Sequence, residues 1–482
     1  MNYGLEYRLL IDGQWRETGR REPSVSPSDL SDRIGDYCWA GTTEVGEALT
    51  AARRAQPGWG RSNVQMRADL LLRAANAIYA NADALAELLA REEGKVRKDA
   101  RGEVIRTGQI FHFYSGETVR RAGGHFPSVR DGFDIVVAHE PVGVVALITP
   151  WNFPFATAAW KIAAALAYGN SVLFKPSEFT PACGAALAQI LVDAGVPAGV
   201  FNMLHGSGAE LGDALIDGTD AVSFTGSTPT GRRVLERAAR DMKKVQLELG
   251  GKSPLVVLND ADLDQAVQVA LDGAFYQTGQ RCTASSRLVV TRGVHYAFVE
   301  KLTAKTKALR VGHALNVQSE IGPVATEAQL AKDLSYVDIA QAEGAEQMCG
   351  GERLEQPTQG YYLAPALFAG VTAKMRLAQE EVFGPVAAVL EAADLDEALA
   401  IANDSEFALS SAICTTSLSA AEKFRRHIRA GMVVVNAPTS GAEYHVPFGG
   451  RSPSGYGARE QGAATAEFFT ETKTAYINHG VI

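Results

Sequence analysis

The sequence predicts an α/β protein with mostly parallel sheets, divided into two large domains. Short apolar runs at 144–148, 171–174, 200–204, 221–224 and 255–258 alternate with helical patterns, the signature of strands joined by helical crossovers. A second such series follows Ala261, with apolar runs at 288–290, 386–390 and 432–435. The chain has 482 residues, beyond the size at which one hydrophobic core stops growing.

The individual elements follow from local signals. Ser62-Asn63-Val64-Gln65 has the form of a capping box. After it, Met66, Leu70, Ala74 and Ile78 recur every fourth residue and lead to Leu85, Leu88 and Leu89, which predicts one long amphipathic helix ending near Gly94. Thr180-Pro181 supplies an N-cap and first-turn pair, and Gly195 a stop, so a crossover helix lies between them. The stretch 142–168 is the most apolar, but Pro150, Asn152, Pro154 and Lys161 interrupt it. It reads as buried core, not as a membrane span.

Composition narrows the function classes. Against 55 acidic residues stand 46 basic ones, a net charge of −9 with no basic run to neutralise phosphates, so no nucleic-acid partner is expected. The first ten residues carry Glu6 and Arg8 and lack an uninterrupted apolar segment, which predicts a cytoplasmic protein with no membrane partner. The cysteines, Cys38, Cys183, Cys282, Cys349 and Cys414, form no C-x-x-C pair and no zinc-ligand spacing with histidine. Neither a disulfide framework nor a metal is expected.

Three segments carry candidate chemistry. Cys282 lies in Gln277-Thr278-Gly279-Gln280-Arg281-Cys282-Thr283, a glycine-containing connection before a strand, where a thiol can face a cleft. Glu248 runs into Gly250-Gly251 and is expected at a turn, available as a base, although a lone Glu is by default an ordinary surface charge. Asn152 follows the run 144–148, and ligands of α/β sheets gather at the carboxyl ends of strands. The segment 206–212, GSGAELG, misses the dinucleotide fingerprint because its last glycine comes one residue late.

PWNFP, FTGST, LELGGKSP, GQRC, EEVFGP and PFGG occur in the order seen in the aldehyde dehydrogenase superfamily, from the early LLIDGQW to the terminal ETKTAY, and the sequence resembles that family over nearly its whole length. Glu248 precedes Cys282 by 34 residues (282 − 248). The resemblance implies Cys282 as nucleophile, Glu248 as general base and Asn152 as side-chain donor to the oxyanion, with Lys161 and Glu460 as a proton path or a structural ion pair. It implies NAD as cofactor, with NADP as the alternative, held by Trp151, Lys175, Ser177, Glu178, Gly208, Phe224, Gly226, Ser227, Leu249, Gly250, Glu381 and Phe383. Glu178 favours NAD, because a carboxylate accepts from ribose hydroxyls and repels a 2′-phosphate.

For the substrate, the resemblance implies a mouth containing Phe153, Thr157, Trp160, Tyr276, Arg281, Thr283, Tyr444 and His445. Ala159-Trp160-Lys161 together with 441–447 looks nearest to the 2,5-dioxopentanoate (α-ketoglutaric semialdehyde) dehydrogenases, whose substrate carboxylate Arg281 could meet. Alternatives are a dehydrogenase for neutral or aromatic aldehydes, a CoA-acylating enzyme, a thioesterase, or a non-catalytic protein on the same fold. The implied organisation is a Rossmann-like cofactor domain (1–123 and 144–250), an α/β catalytic domain (251–440), a small β oligomerisation element (124–143 and 465–482) making a homodimer or homotetramer, and a substrate-side loop (441–464).

Overall fold

The computed structural model describes residues 6–120 and 123–480. Residues 1–5 of the stretch read above for a signal, 121–122 in the first domain range and 481–482 of the oligomerisation segment lie outside the described residues.

An eight-stranded sheet occupies the first half. Its order is Gly455–Tyr456, Lys244–Glu248, Ala221–Thr225, Val144–Ile148, Ser171–Lys175, Phe201–Met203, Leu9–Ile11 and Gln14–Arg16. The five strands from Lys244–Glu248 to Phe201–Met203 run parallel, and antiparallel strands close both edges. Alternate side chains of Val144–Ile148 enter two different cores: Val144, Ala146 and Ile148 one, Val145 and Leu147 the other. Both faces are therefore covered, which is why the strand reads as a continuous apolar run. Ile162 of the helix Ala156–Ala167 packs on one face, and Val234 and Ala238 of the helix Thr228–Ala239 on the opposite one.

The second sheet has seven strands, in the order Glu346–Cys349, Ala366–Ala369, Val386–Ala392, Arg287–Thr291, Pro254–Val257, Ser410–Cys414 and Met432–Val435. All pairs but the first are parallel. A third, antiparallel sheet joins Gly124–Pro127, Phe133–Pro141 and Thr470–Asn478, the last two in continuous register from Thr470 opposite Pro141 to Asn478 opposite Phe133.

The first long helix differs from expectation. It is two helices, Val64–Ala80 and Ala82–Glu93, broken at Asn81. The cap is Asn63, whose side chain accepts from the Gln65 N–H, while the Ser62 hydroxyl donates back to the Trp59 carbonyl at 2.6 Å. Gly94 ends the second helix in the left-handed region (φ 95°), as its position suggested. The next helix, Arg97–Arg120, packs along Val64–Ala80 and beside Ala156–Ala167. Among the described residues no helix is long and apolar enough to cross a membrane.

Candidate active site

Strand order reverses between Val144–Ile148 and Ala221–Thr225: the chain builds outward from the first of these in one direction, then returns to build in the other. The crevice beyond their carboxyl ends is where such sheets bind ligands. Pro150, Trp151 and Asn152 follow one strand, Gly226 and Ser227 the other, and Glu248 ends the next. Facing them are connections that enter the second sheet at its amino ends: Gly250 to Ser253, Arg281 to Ser285 and Glu381 to Gly384. A cavity of about 680 Å³ lies between, and Asn152, Glu248 and Cys282 all line it.

Cys282 is partly exposed, and its connection is unusually constrained. Gln277, Thr278 and Gly279 all take positive φ (54°, 58° and 66°), and a β-carbon at Gly279 would collide with the Gly384 carbonyl. Strain of this kind persists only where the surroundings fix it. A β-carbon at Gly251 would likewise strike the Cys282 carbonyl, so the glycine pair after Glu248 allows the two segments to touch. Burial pushes the Cys282 thiol up to about 12, with the Glu381 and Glu248 carboxylates adding to the effect and the backbone N–H groups of Cys282 and Thr283 opposing it.

Glu248 is not at a turn, as expected, but is the buried last residue of the strand Lys244–Glu248. Its carboxyl is raised well above the usual range by burial and then by Glu460, against the pull of Lys161 and Arg459. The Gly450 N–H approaches it at 3.4 Å. Behind it Lys161 and Glu460 form a fully buried ion pair, and Lys161 also donates to Ser223 Oγ at 2.7 Å. Ser223 passes the chain on to Gln246 at 2.8 Å, and Glu460 Oε2 has no hydrogen-bond partner. Asn152 Nδ2 donates to the Gln280 carbonyl at 2.9 Å, which ties it to the loop of Cys282 and leaves its other N–H available.

Of the expected cofactor residues, Trp151, Gly226, Ser227, Leu249, Gly250, Glu381 and Phe383 line the cavity. Trp151 and Phe383 meet edge to face at 5.5 Å, and Glu381 accepts from the Gly251 N–H at 2.9 Å. The helix Thr228–Ala239 opens with no side-chain cap, and buried Thr225 Oγ1 and Thr228 Oγ1 lack partners, so its N-terminus is free to meet an anion. Phe224 packs beneath Gly226. Lys175 and Ser177 are buried at the end of the neighbouring strand. Lys175 Nζ bonds the Pro176 carbonyl at 3.0 Å and Glu178 at 3.1 Å.

Gly208 joins Phe224, Lys175, Ser177 and Glu178 in lying outside the cavity lining. It begins the helix Gly208–Gly218 outside the cavity lining, and Ser207 already caps that helix through the Glu210 N–H.

At the substrate end, Phe153, Thr157, Trp160, Arg281 and Thr283 line the cavity, whereas Tyr276, Tyr444 and His445 do not. Tyr276 sits in a short 3-10 turn, where Asp272, Glu320 and Asp99 are its charged neighbours, and Tyr444 and His445 pack edge to face in the outer loop. Arg281 is not a free fork: Nη2 donates to the Asp272 and Gly273 carbonyls at 2.6 and 2.8 Å, capping the end of the helix Leu263–Ala274, and Nη1 donates to Ser440. It braces the connection that carries Cys282, which sequence reasoning did not anticipate.

The helix Arg97–Arg120 contributes lining that the sequence reading missed: Lys98, Gly102 and Arg106, each four residues on, present one face to the cavity. That spacing was visible, but nothing local indicated which face turned inward. The Arg106 guanidinium lies 5.5 Å from the centre of the Tyr444 ring and has no acidic partner among the described residues.

Comparison with known proteins agrees with this geometry. The aldehyde dehydrogenase family model matches residues 15–475. The chain is 39% identical over 477 residues to alpha-ketoglutaric semialdehyde dehydrogenase of Bacillus subtilis, covering 98% of each, and 40% identical over 476 residues to alpha-ketoglutarate semialdehyde dehydrogenase of Haloferax volcanii, covering 97% of this chain and 98% of that one. The crystal structure of betaine aldehyde dehydrogenase from Staphylococcus aureus in complex with NAD+ superposes with a TM-score of 0.96 at 32% identity, covering 98% of this chain and 95% of that one. With the family model matching nearly the whole length and relatives of 39–40% identity covered almost end to end, the chain belongs to the aldehyde dehydrogenase family.

Proposed function

We propose that this protein oxidises an aldehyde carrying a distal carboxylate, such as 2,5-dioxopentanoate, to the corresponding acid with NAD, through a covalent thioester on Cys282. The observation that carries the reading is the convergence of Cys282, Glu248 and Asn152 on one cavity, with the unpaired cation Arg106 at its substrate end.

The sulfur of Cys282 attacks the carbonyl carbon as the thiolate, its proton passing to water in the open cavity, since the free thiol is held protonated by its surroundings. Asn152 Nδ2 and the Cys282 N–H then face the new alkoxide. NAD, when bound against Trp151, Glu381 and the open helix N-terminus at Ser227, supplies the hydride acceptor for collapse of that adduct. Water completes the reaction on the thioester: Glu248, a carboxylate whose raised pKa makes it a better base, takes the water's proton, and Lys161 and Glu460 lie behind it. Lys175 and Glu178 suit a ribose with free hydroxyls, which supports NAD over NADP.

Electrostatics favour an anionic over a cationic aldehyde. Lys98, Arg106 and Arg281 face the substrate end, while Glu103 is paired with Lys95, leaving Asp99 as the remaining acid there. A quaternary ammonium would need an open aromatic face, but the guanidinium of Arg106 lies over Tyr444, and Trp160 packs on Phe448 at 5.4 Å.

The third sheet supports assembly as a homodimer or homotetramer. Its outer strand Thr470–Asn478 is exposed from Glu471 to Asn478, and Phe126, Tyr476 and Ile477 present apolar surface. Light scattering at working concentration should give at least a dimer; a fully active monomer defeats this part.

Cys282→Ala should abolish NADH formation and leave NAD binding intact. Glu248→Gln should keep a pre-steady-state burst of NADH and slow the steady rate, because hydride transfer precedes deacylation. Loss of the burst would move Glu248 to thiol activation. In the free protein, alkylation of Cys282 followed by mass spectrometry should accelerate from pH 7 to 10 without levelling, since a raised thiol pKa leaves the thiolate growing throughout that range. A plateau near the ordinary thiol value, about 8.5, contradicts it.

Arg106→Met should lower kcat/KM for 2,5-dioxopentanoate on the order of ten- to a hundredfold, the equivalent of one charge-assisted hydrogen bond of about 1.5–3 kcal/mol, and leave pentanal nearly unchanged. Equal losses would remove the carboxylate reading and leave the Trp160 wall as the selector of neutral aromatic aldehydes.

A further inference from the structure

A buried ion pair lies directly behind the loop that carries Asn152. Lys95 follows Gly94 in the turn between the helices Ala82–Glu93 and Arg97–Arg120. Its Nζ donates to Glu103 Oε2 at 2.7 Å and to the Asn152 carbonyl at 2.6 Å, and it lies 4.2 Å from the centre of the Phe153 ring. Glu103 uses its other oxygen, Oε1, to accept from the Phe155 and Ala156 N–H groups at 3.0 and 3.1 Å. Those donors open the helix Ala156–Ala167, whose own N-cap, Phe155, has no side chain able to cap it. One ion pair therefore grips the segment Asn152 to Ala156 at three backbone points.

Stability alone is a weak reason for such a pair. Removing two charges from water costs about as much as their attraction returns, and apolar replacements of matched shape are often neutral. What the pair does supply is fixed geometry, and the residue held is the one whose side chain reaches the Gln280 carbonyl beside Cys282. A neighbouring group offers an internal contrast. Glu92 accepts from the Ala182 and Cys183 N–H groups, both at 2.8 Å, and so caps the helix Pro181–Asp193 in the same manner, but that helix places no residue in the cavity lining.

We propose that Lys95 and Glu103 are positioning residues for the oxyanion donor: they set where Asn152 stands relative to Cys282 and so act on formation and collapse of the tetrahedral adduct, not on cofactor binding. The inference rests on the reaction proposed above.

A double-mutant cycle tests it. The pair variant Lys95→Met/Glu103→Gln removes both charges together; Glu93, 3.8 Å from Lys95 Nζ and already raised to about 7 by burial, can then take up a proton in place of its lost cation. In the full-length protein it should slow the NADH burst on the order of ten- to a hundredfold, as displacement of a reacting group by about 1 Å does, with NAD affinity by calorimetry changed less than about twofold. In an Asn152→Ala background the same pair variant should change the burst rate less than about twofold, because the donor it positions is gone. Glu92→Gln should lower the melting temperature without slowing the burst.

Additive losses in the two backgrounds, an unchanged burst in the pair variant, or a loss confined to NAD affinity would each overturn the proposal. If the pair variant does not fold, Lys95→Arg takes its place with the same cycle and the same outcomes. Failure of the underlying reaction is distinguishable: then the wild type forms no NADH from any aldehyde, or Asn152→Ala is fully active, before the pair is touched.

Discussion

The structure depends on one topological constraint, the reversal of strand order beside Val144–Ile148. Because the helix following this strand packs on one face of the sheet and the helix following Ala221–Thr225 on the other, neither connection can cover the space beyond the two carboxyl ends. That space persists as a crevice bounded by backbone N–H groups and by whatever side chains the two connections carry. The second sheet presents the loops that enter its strands to the same crevice, so the thiol arrives from one layer and the carboxylate and amide from the other. The short connection Leu249 to Ser253 joins the sheets, and its two glycines allow the approach to be close: a side chain at Gly250 would displace Glu381, and one at Gly251 would displace the Cys282 carbonyl.

The electrostatics follow from that closure. Cys282, Glu248 and Glu381 are acids brought together where water is scarce, and burial is the largest cause of the upward shift in each. Lys161 is the buried cation paired in this region, and it faces two carboxylates, Glu460 directly and Glu248 beyond it. Since burial penalises net charge, the second carboxylate against one ammonium, Glu248, is the one held toward its neutral form.

What the sequence made legible was the set of strands with both faces buried. Val144–Ile148, buried at every position, emerges at the predicted residues, because a strand covered on both sides must be apolar throughout. Lys244–Glu248 was not legible: KVQLE lacks the continuous apolar run read elsewhere, because the buried Gln246 and Glu248 interrupt it. Glu248 therefore looked like a turn residue. The break at Asn81 was hidden because the four-residue apolar rhythm continues across it on the same packed face. Arg281 and Arg106 were hidden for a different reason. Which guanidinium is free depends on the carbonyls nearby, and the end of the helix Leu263–Ala274 comes to Arg281 while none comes to Arg106. Cys282, Glu248 and Asn152 of the ordered motifs line one cavity, whereas Gly208, Phe224, Lys175, Ser177 and Glu178 fall outside its lining, which motif order does not indicate.

The helical layer in front of the sheet then takes on a second role. A helix start is ordinarily capped by a Ser, Thr, Asp or Asn a few residues away in sequence, which fixes the first turn but says nothing of where the helix lies. Here two helix starts in the cofactor half are capped by carboxylates far away in the chain, Glu92 for Pro181–Asp193 and Glu103 for Ala156–Ala167. A remote cap satisfies the same N–H groups while locking one layer against another. For Ala156–Ala167 the locked layer contains Asn152 at one end of the segment and Lys161 one turn and more along the helix, so the amide tied to the Cys282 loop and the ammonium behind Glu248 share a single support. The helices from Val64 to Arg120 are thus part of the catalytic scaffold as well as a cover for the sheet, and the same Arg97–Arg120 helix that supplies Glu103 turns Arg106 toward the substrate end four residues earlier than one full further turn would place its next cavity-lining residue, Ile110. Support of the donor and recognition of the substrate are therefore coupled through one helix: a change that tilts it alters both together.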